Sequence, residues 1–401
     1  MIVNVSCCSP WLVDESRDET PFSIEWQCVV RPPNRVRIDL SSLVHNLNEV
    51  RRLVRPGTKV MGVVKSDAYG HGLIPVSSVL EGSGIDCLGV AHLTEALELR
   101  KNGIRSPIMI LCGIRTREDA AEAVEKDLTP VLYDMEACEL LASECLRRGR
   151  KLRVHVKVDT GMGRLGVPCA DVGPFLRNLM ESSTLFVEGL TSHLSSVDED
   201  ASEFTLLQIE RFKRAVATGR VMGLELPLNN LANSGGVMRY RDSHFDLVRP
   251  GIMLYGGLPS PEFPHSVPLR PVMALRGRIL QVREFSADTP VSYGRAHVTK
   301  GPTRVAVLSA GYGDGLPRSL SDAGKVLIGG ERCDILGRVC MNMVVADVTA
   351  AGTPVPGDEV VFLGTQGKEK ITGDDMARWG GTISYEIFCS IGRRHTREYL
   401  T

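Results

Sequence analysis

The chain has 401 residues, 43% of them hydrophobic and 24% charged, with a formal net charge of −1. That length exceeds one ordinary compact domain and points to a large domain with a smaller companion. The near-zero charge offers no electrostatic handle for nucleic acid or an anionic membrane, and no apolar run reaches the roughly 18 residues of a transmembrane helix.

Residues 1–33 carry no hydrophobic period. Their start, MIVNVSCCSPWLVDESRDET, lacks the basic region and long apolar stretch of a secretory signal. They read as an extension outside the main fold and a candidate for disorder. The eleven cysteines include no CxxC pair and are scattered through apolar segments. That usage suits a reducing cytosol, hence a cytoplasmic protein, better than a disulfide framework.

Leu43, Leu47, Val50 and Val54 then fall at i, i+4, i+7 and i+11, the spacing of an amphipathic helix. From there short apolar runs alternate with helical segments. The runs are 59–65, 87–91, 107–113, 130–134, 153–159, 187–194, 226–234 and 246–256, and between them lie stretches rich in helix formers such as DAAEAVEKD. Continuous rather than alternating apolar runs mark parallel strands buried on both faces. Eight βα units predict a TIM-type (β/α)8 barrel, an α/β fold, with an open doubly wound sheet as the competing architecture. Pro259, Pro261, Pro264, Pro268 and Pro271 break both helix and strand and place a domain boundary there. Beyond it, segments such as TRVAVLSAGY, KVLIGG and GDEVVFLG are short strands between Gly, Pro and Asp turns, a smaller mainly β C-terminal domain. The expected organisation is an extension over 1–33, a barrel over 34–265 and a β domain over 266–401.

Barrel enzymes carry their active sites at the C-terminal ends of the strands. The first run ends at Lys65. A lysine there is either a side chain reaching to water or an amine activated by partial desolvation to form a Schiff base. The fifth run leads into Lys157, Asp159 and Arg164 among three glycines. Arg164 could fork onto a carboxylate, or the segment is a plain polar loop. The sixth ends at His193, a structural hydrogen-bonder or a base. NNLANSGG (229–236) brings small polar residues to the end of the seventh, where barrels bind phosphate through backbone N–H groups, and the eighth adds Arg249 and Gly251. A lysine, a phosphate cradle, arginines and a histidine fit a phosphorylated cofactor bound through an imine. No HxH or carboxylate cluster has ligand spacing, so no metal is expected, and GSG at 82–84 lacks the rest of a dinucleotide fingerprint.

From about residue 34 to the end, many motifs in order resemble the alanine racemase family of fold-type III pyridoxal-phosphate (PLP) enzymes. They are VVKSDAYGHG (63–72), KVDTGMGRLG (157–166), TSH (191–193), ANSGG (232–236), VRPGIMLYG (248–256), VSYGR (291–295), GYGDG (311–315), GRVCMNM (337–343) and TISYEI (382–387). The resemblance implies a barrel followed by a β domain, working as a head-to-tail homodimer with shared active sites. It implies that Lys65 holds the PLP and is one acid/base group, and that Tyr293 of the partner subunit is the other. Arg249 would face the pyridine nitrogen, and His193 would support Tyr293. Tyr69, Ser234, Gly251, Ile252 and Tyr385 would surround the phosphate. Arg164 and the backbone N–H of Met341 would receive the substrate carboxylate, and Lys157 matches a lysine that is carbamylated in many members. Tyr312 would line the entrance.

The implied activity is interconversion of L-alanine and D-alanine, supplying D-alanine for peptidoglycan. The alternative is a racemase of serine or broader amino-acid specificity on the same scaffold, against which Tyr385 argues. Arg249 speaks against a decarboxylase, and the β domain with Tyr293 speaks against a non-catalytic PLP-binding barrel. Asn342 in CMNM stands where many members have an acidic residue.

Overall fold

The computed structural model describes residues 32–198 and 203–401; the expectation for the extension at 1–33 lies outside them but for its last two residues. Strands Lys59–Val63, Cys87–Val90, Ile108–Ile110, Thr129–Leu132, Leu152–Asp159 and Leu185–Thr191 pair in parallel, each with the next. A bridge from Thr191 to Asn230 carries the order to a seventh position. The Arg249 N–H donates to the Ala232 carbonyl at 2.9 Å, and Leu247–Val248 pairs in parallel with the first strand. The eight positions close into a TIM-type barrel, one from each predicted run.

The seventh position is thinner than expected. Pro227 has no N–H to give a ladder, and the side chain of Asn229 takes over part of it by accepting the Leu190 N–H at 3.1 Å. The helices between strands start where their residue types say they should. Asp39, Thr116 and Asp134 each accept a backbone N–H of the first turn, and Gly149 ends its helix at a φ of 61°.

The second sheet has nine strands. Met273–Phe285 is its longest strand and pairs antiparallel with Arg35–Asp39 through its first half and with Thr303–Leu308 through its second. A further pairing with Glu359–Gln366 closes six of the strands into a ring. Arg35–Asp39 falls inside the 34–265 span expected to make the barrel, yet it belongs to this sheet, between Met273–Phe285 and Arg397–Leu400. Its burial explains why. Val36 and Ile38 are buried and their neighbours are not, which is the alternation of a two-faced strand rather than the continuous burial of a barrel strand. No described helix is long and apolar enough to cross a membrane.

The feature that sets the site follows the first barrel strand. Ser66, Asp67, Ala68 and Tyr69 have φ of 55°, 57°, 52° and 56°, a turn of left-handed helix built without glycine. Each such L-residue is disfavoured by roughly 1–2 kcal/mol. The turn persists because its surroundings hold it from several sides. The Ser66 N–H donates to Glu95 at 2.6 Å, the Leu73 N–H donates to Asp67 at 2.7 Å, and Arg397 donates to both Asp67 and the Gly70 carbonyl. Gly70, at φ 81°, closes the turn against the helix Ser384–Gly392, where a Cβ would lie 2.4 Å from the Phe388 carbonyl oxygen.

Gly70→Ala therefore meets both a left-handed backbone and a backbone collision. Strain and overpacking each cost about 1–3 kcal/mol, and the loss of stability should be of that size or larger by urea unfolding. An unchanged midpoint would show that the turn is not pressed against that helix.

Candidate active site

A cavity of about 300 Å³ opens at the C-terminal ends of the barrel strands. It gathers Lys65, Tyr69, Lys157, Arg164, His193, Ser234, Arg249, Gly251, Ile252 and Tyr385, expected from strand-end positions or from the family resemblance; Tyr385 comes from the C-terminal helix Ser384–Gly392. Tyr293, Tyr312 and Met341 do not line it; they are exposed by 69%, 40% and 58%. The structure nonetheless groups those three. The Tyr312 N–H donates to the Cys340 carbonyl at 2.9 Å and the Gly313 N–H to the Met341 carbonyl at 2.6 Å, while the Ser292 hydroxyl donates to the Arg338 carbonyl at 2.7 Å. Three adjoining loops of the second sheet thus present them to the outside. Asn342 reaches Asp314 in the same cluster at 3.3 Å.

The electrostatics of the cavity are one-sided. Lys65, Lys157, Arg164 and Arg249 line it, and none of its described lining residues is Asp or Glu. Burial, with Arg164 and Arg249 adding to it, holds the Lys65 amine below the ordinary lysine range, while Glu95 and Cys112 oppose the shift. Burial followed by Arg249 and Arg164 drives Lys157 well below that range. His193 is held well below the usual histidine range by burial and then by Arg249, Lys157, Arg164 and Lys65, so it stands as a neutral imidazole. Its Nδ1 lies 3.3 Å from an Arg249 nitrogen. A guanidinium only donates, so Nδ1 accepts and Nε2 carries the proton, leaving a donor free on the far side of the ring.

Arg249 is 5% exposed. Its guanidinium donates to Asn230 Oδ1 and to the Ser192 and Leu231 carbonyls. Burial pushes it down to about 10, which leaves it protonated at neutral pH. These acceptors are uncharged, so the full positive charge remains available to a ligand. Asn230 is itself fixed: its Oδ1 accepts the Thr191 hydroxyl at 2.6 Å and its amide donates to the Leu228 carbonyl at 3.0 Å.

The cradle lies at the seventh and eighth strand ends. The Ser234 hydroxyl oxygen accepts the Gly251 N–H at 3.0 Å and the Met253 N–H at 3.3 Å. A Cβ on Gly251 would sit 2.3 Å from the Tyr69 hydroxyl, so only glycine lets that phenol approach. Tyr69 stacks on Tyr255 at 4.8 Å and leans on Tyr385 at 5.8 Å. Burial raises both the Tyr69 and Tyr385 phenols, which keeps them protonated as donors. On the opposite side Asp159 accepts the N–H groups of Gly161, Met162 and Gly163, shaping the loop that carries Arg164.

Sequence reasoning missed Asn230, Glu95 and the cavity-lining Cys112. Asn230 lay in plain view inside NNLANSGG; nothing local marked it from the asparagines beside it. No group of His, Cys, Asp and Glu among the described residues is arranged to hold a metal ion.

Comparison with known proteins adds an independent line. The family model described as "Alanine racemase, N-terminal domain" matches residues 38–259, and "Alanine racemase, C-terminal domain" matches 272–399. The alanine racemase of Syntrophobacter fumaroxidans is 44% identical over 364 residues, covering 91% of this chain and 96% of that protein. The crystal structure of alanine racemase from D-cycloserine-producing Streptomyces lavendulae superposes with a TM-score of 0.86 at 35% identity, covering 93% of this chain and 98% of the other. That of Bartonella henselae, with covalently bound pyridoxal phosphate, superposes at 0.83 and 29% identity, covering 92% and 100%.

Acylation of the cofactor-free protein by an amine-selective reagent, mapped across pH, should label Lys65 with a midpoint below the ordinary 10.5. The same depression makes a stability statement. The unfolded chain binds more protons than the folded one between the lowered value and 10.5, so the penalty these two buried lysines place on the fold is relieved, and stability rises, as pH rises through that window. A labelling midpoint at or above 10.5 would contradict the placement. Asn230→Ala removes the acceptor of one Arg249 guanidinium nitrogen and of the Thr191 hydroxyl and should cost about 1–3 kcal/mol by urea unfolding.

Proposed function

The chain belongs to the alanine racemase family, and from that premise we propose that the barrel cavity interconverts L-alanine and D-alanine on pyridoxal phosphate, with Lys65 and Tyr293 of the partner subunit as the two proton-moving groups. The observation that carries the reading is a single cavity joining a desolvated lysine amine to a Ser234–Gly251–Tyr69 cradle and a guanidinium with only neutral partners.

The residues present fit the cofactor. Protonated phenols and a hydroxyl at Tyr69, Tyr385 and Ser234 suit a phosphate, the missing side chain of Gly251 leaves it room beside buried Ile252, and the Lys65 amine suits an aldehyde. Bound there, the cofactor supplies the electron sink that acidifies the substrate Cα. Arg249 can only donate, so it would offer a hydrogen bond to the ring nitrogen of a cofactor held there.

Lys65 Nζ moves a proton at one face of Cα. Its lowered affinity for protons leaves more of it in the basic form at neutral pH than an ordinary lysine would have. Tyr293 Oη of the partner subunit moves the second proton at the opposite face, so the substrate inverts without turning over. His193 supports that phenol through its Nε2 proton. Arg164 and the Met341 backbone N–H receive the substrate carboxylate. Lys157, its amine lowered well below the ordinary lysine range by burial, Arg249 and Arg164, is suited to take up CO2 as a carbamate, an anion that would orient Arg164. Tyr312 lines the entrance.

A homodimer follows from the same reading. Tyr293, Tyr312 and Met341 are grouped and exposed in one protomer and outside its own cavity, as residues lent to a partner's site would be. The presence of Tyr385 in the cavity wall favours alanine over longer side chains. The described cysteines are all free thiols, which fits a cytoplasmic enzyme supplying D-alanine for peptidoglycan.

Tyr293→Phe should slow exchange of the L-alanine Cα proton with solvent deuterium by about 10²–10⁴-fold, with a far smaller loss from D-alanine, as followed by NMR. Equal losses from both enantiomers would remove the two-base assignment. Random 1:1 reassembly of Lys65→Ala and Tyr293→Phe subunits leaves one intact site in each mixed dimer, so roughly a quarter of all sites should recover activity. No recovery in a mixture shown to contain mixed dimers would remove the shared site.

A further inference from the structure

We propose that Glu95 positions Lys65, its carboxylate bolting the residue after the lysine to the end of the neighbouring barrel strand. Glu95 sits in the first turn of the helix Leu93–Lys101. One carboxylate oxygen accepts the Ser66 N–H at 2.6 Å; the other accepts the Ala91 N–H at 2.8 Å and the His92 N–H at 3.3 Å. Ala91 and His92 directly follow the strand Cys87–Val90, while Ser66 lies 29 positions before Glu95.

A glutamate at this helix position ordinarily satisfies the N-cap N–H and nothing more. That role accounts for the contact to His92 alone. The shortest of the three bonds goes instead to a different βα loop, at the first of the four left-handed residues. The far end of that turn is held by Arg397 through Asp67 and the Gly70 carbonyl. Glu95 holds the near end, next to the amine. Without it, Ser66 would be free to leave a conformation that costs roughly 1–2 kcal/mol, and the lysine would move with it. Glu95 is also the carboxylate set against Arg164 and Arg249 in the field at the amine.

The proposal rests on Lys65 being the cofactor-holding lysine. Its test uses the holoenzyme with Glu95→Ala, Glu95→Gln and, as a charge control on the exposed face of the same helix, Glu98→Gln. Hydrogen exchange at residues 64–70 should quicken about tenfold or more in Glu95→Ala and less in Glu95→Gln, which keeps one acceptor oxygen. Exchange across Thr303–Leu308 of the second sheet should not change. In step, kcat should fall about tenfold or more with KM within about threefold, since misplacement of a reacting group by about 1 Å can cost 10²-fold. Glu98→Gln should match the unsubstituted protein in both measurements.

Exchange at 64–70 and kcat both within about twofold of the unsubstituted protein in Glu95→Ala would overturn the proposal. So would acceleration spread equally over both sheets, which would make Glu95 a stabiliser of the whole fold. If the unsubstituted protein failed to racemise alanine, the proposed function would fall, while the exchange measurement would still decide whether Glu95 fixes the turn.

Discussion

Lys65 stands at the head of a turn whose next four residues all have positive φ. Such a run is intrinsically unfavourable by several kcal/mol, about four times the single-residue cost, so it exists only because distant groups hold it. Glu95 grips its first residue, Asp67 bonds forward to Leu73, and Arg397 reaches in from the last strand of the second sheet. Gly70 and Gly392 allow the turn and the helix Ser384–Gly392 to meet backbone to backbone; a Cβ on Gly392 would lie 1.9 Å from the Gly70 carbonyl oxygen. The barrel's key amine is therefore placed as much by the C-terminal segment as by its own strand. The sheet pairing of Arg35–Asp39 with both Met273–Phe285 and Arg397–Leu400 keeps that segment in register.

Charge is the second constraint. A cavity walled by Lys65, Lys157, Arg164 and Arg249 without a lining carboxylate cannot easily keep all four protonated. Burial and the neighbouring guanidinium groups lower the proton affinity of both lysines, while Arg249 keeps its proton at neutral pH. The result is a pair of amines with lowered proton affinity beside guanidinium donors, a wall suited to anionic groups at one end and to imine chemistry at the other. Arg249 keeps its charge in a nearly dry site by spreading its donors over Asn230 and two backbone carbonyls rather than neutralising itself against an acid.

The third constraint is incompleteness. A proton donor on only one side of the substrate cannot invert a stereocentre efficiently. The cavity of one protomer contains Lys65 but no tyrosine opposite it with an unburied phenol: Tyr69 and Tyr385 are buried donors committed to the cradle side. Tyr293 is on the outside of the second sheet's loops, beside Met341 and Tyr312. On the proposed reading, a second subunit supplies the missing face.

Local pattern alone was enough to place the eight barrel runs, the proline-marked change of fold, and Lys65, His193 and Arg249 at strand ends. Each of these follows from hydrophobic period or from position along a strand, which neighbours in sequence impose. Motif resemblance extended this to residues such as Tyr69, Tyr293 and Met341, whose isolated chemistry says little. Tertiary structure decided the rest. SDAY contains no glycine to announce a left-handed turn, and that turn depends on partners 29 and 330 positions away. Asn230 is one asparagine among several until it meets Arg249, 19 residues on, and Arg35–Asp39 joins the second sheet only because Met273–Phe285 offers it an edge. Short-range forces write their period into the chain, whereas strain, charge balance and strand partnership are settled between segments that the chain brings together last.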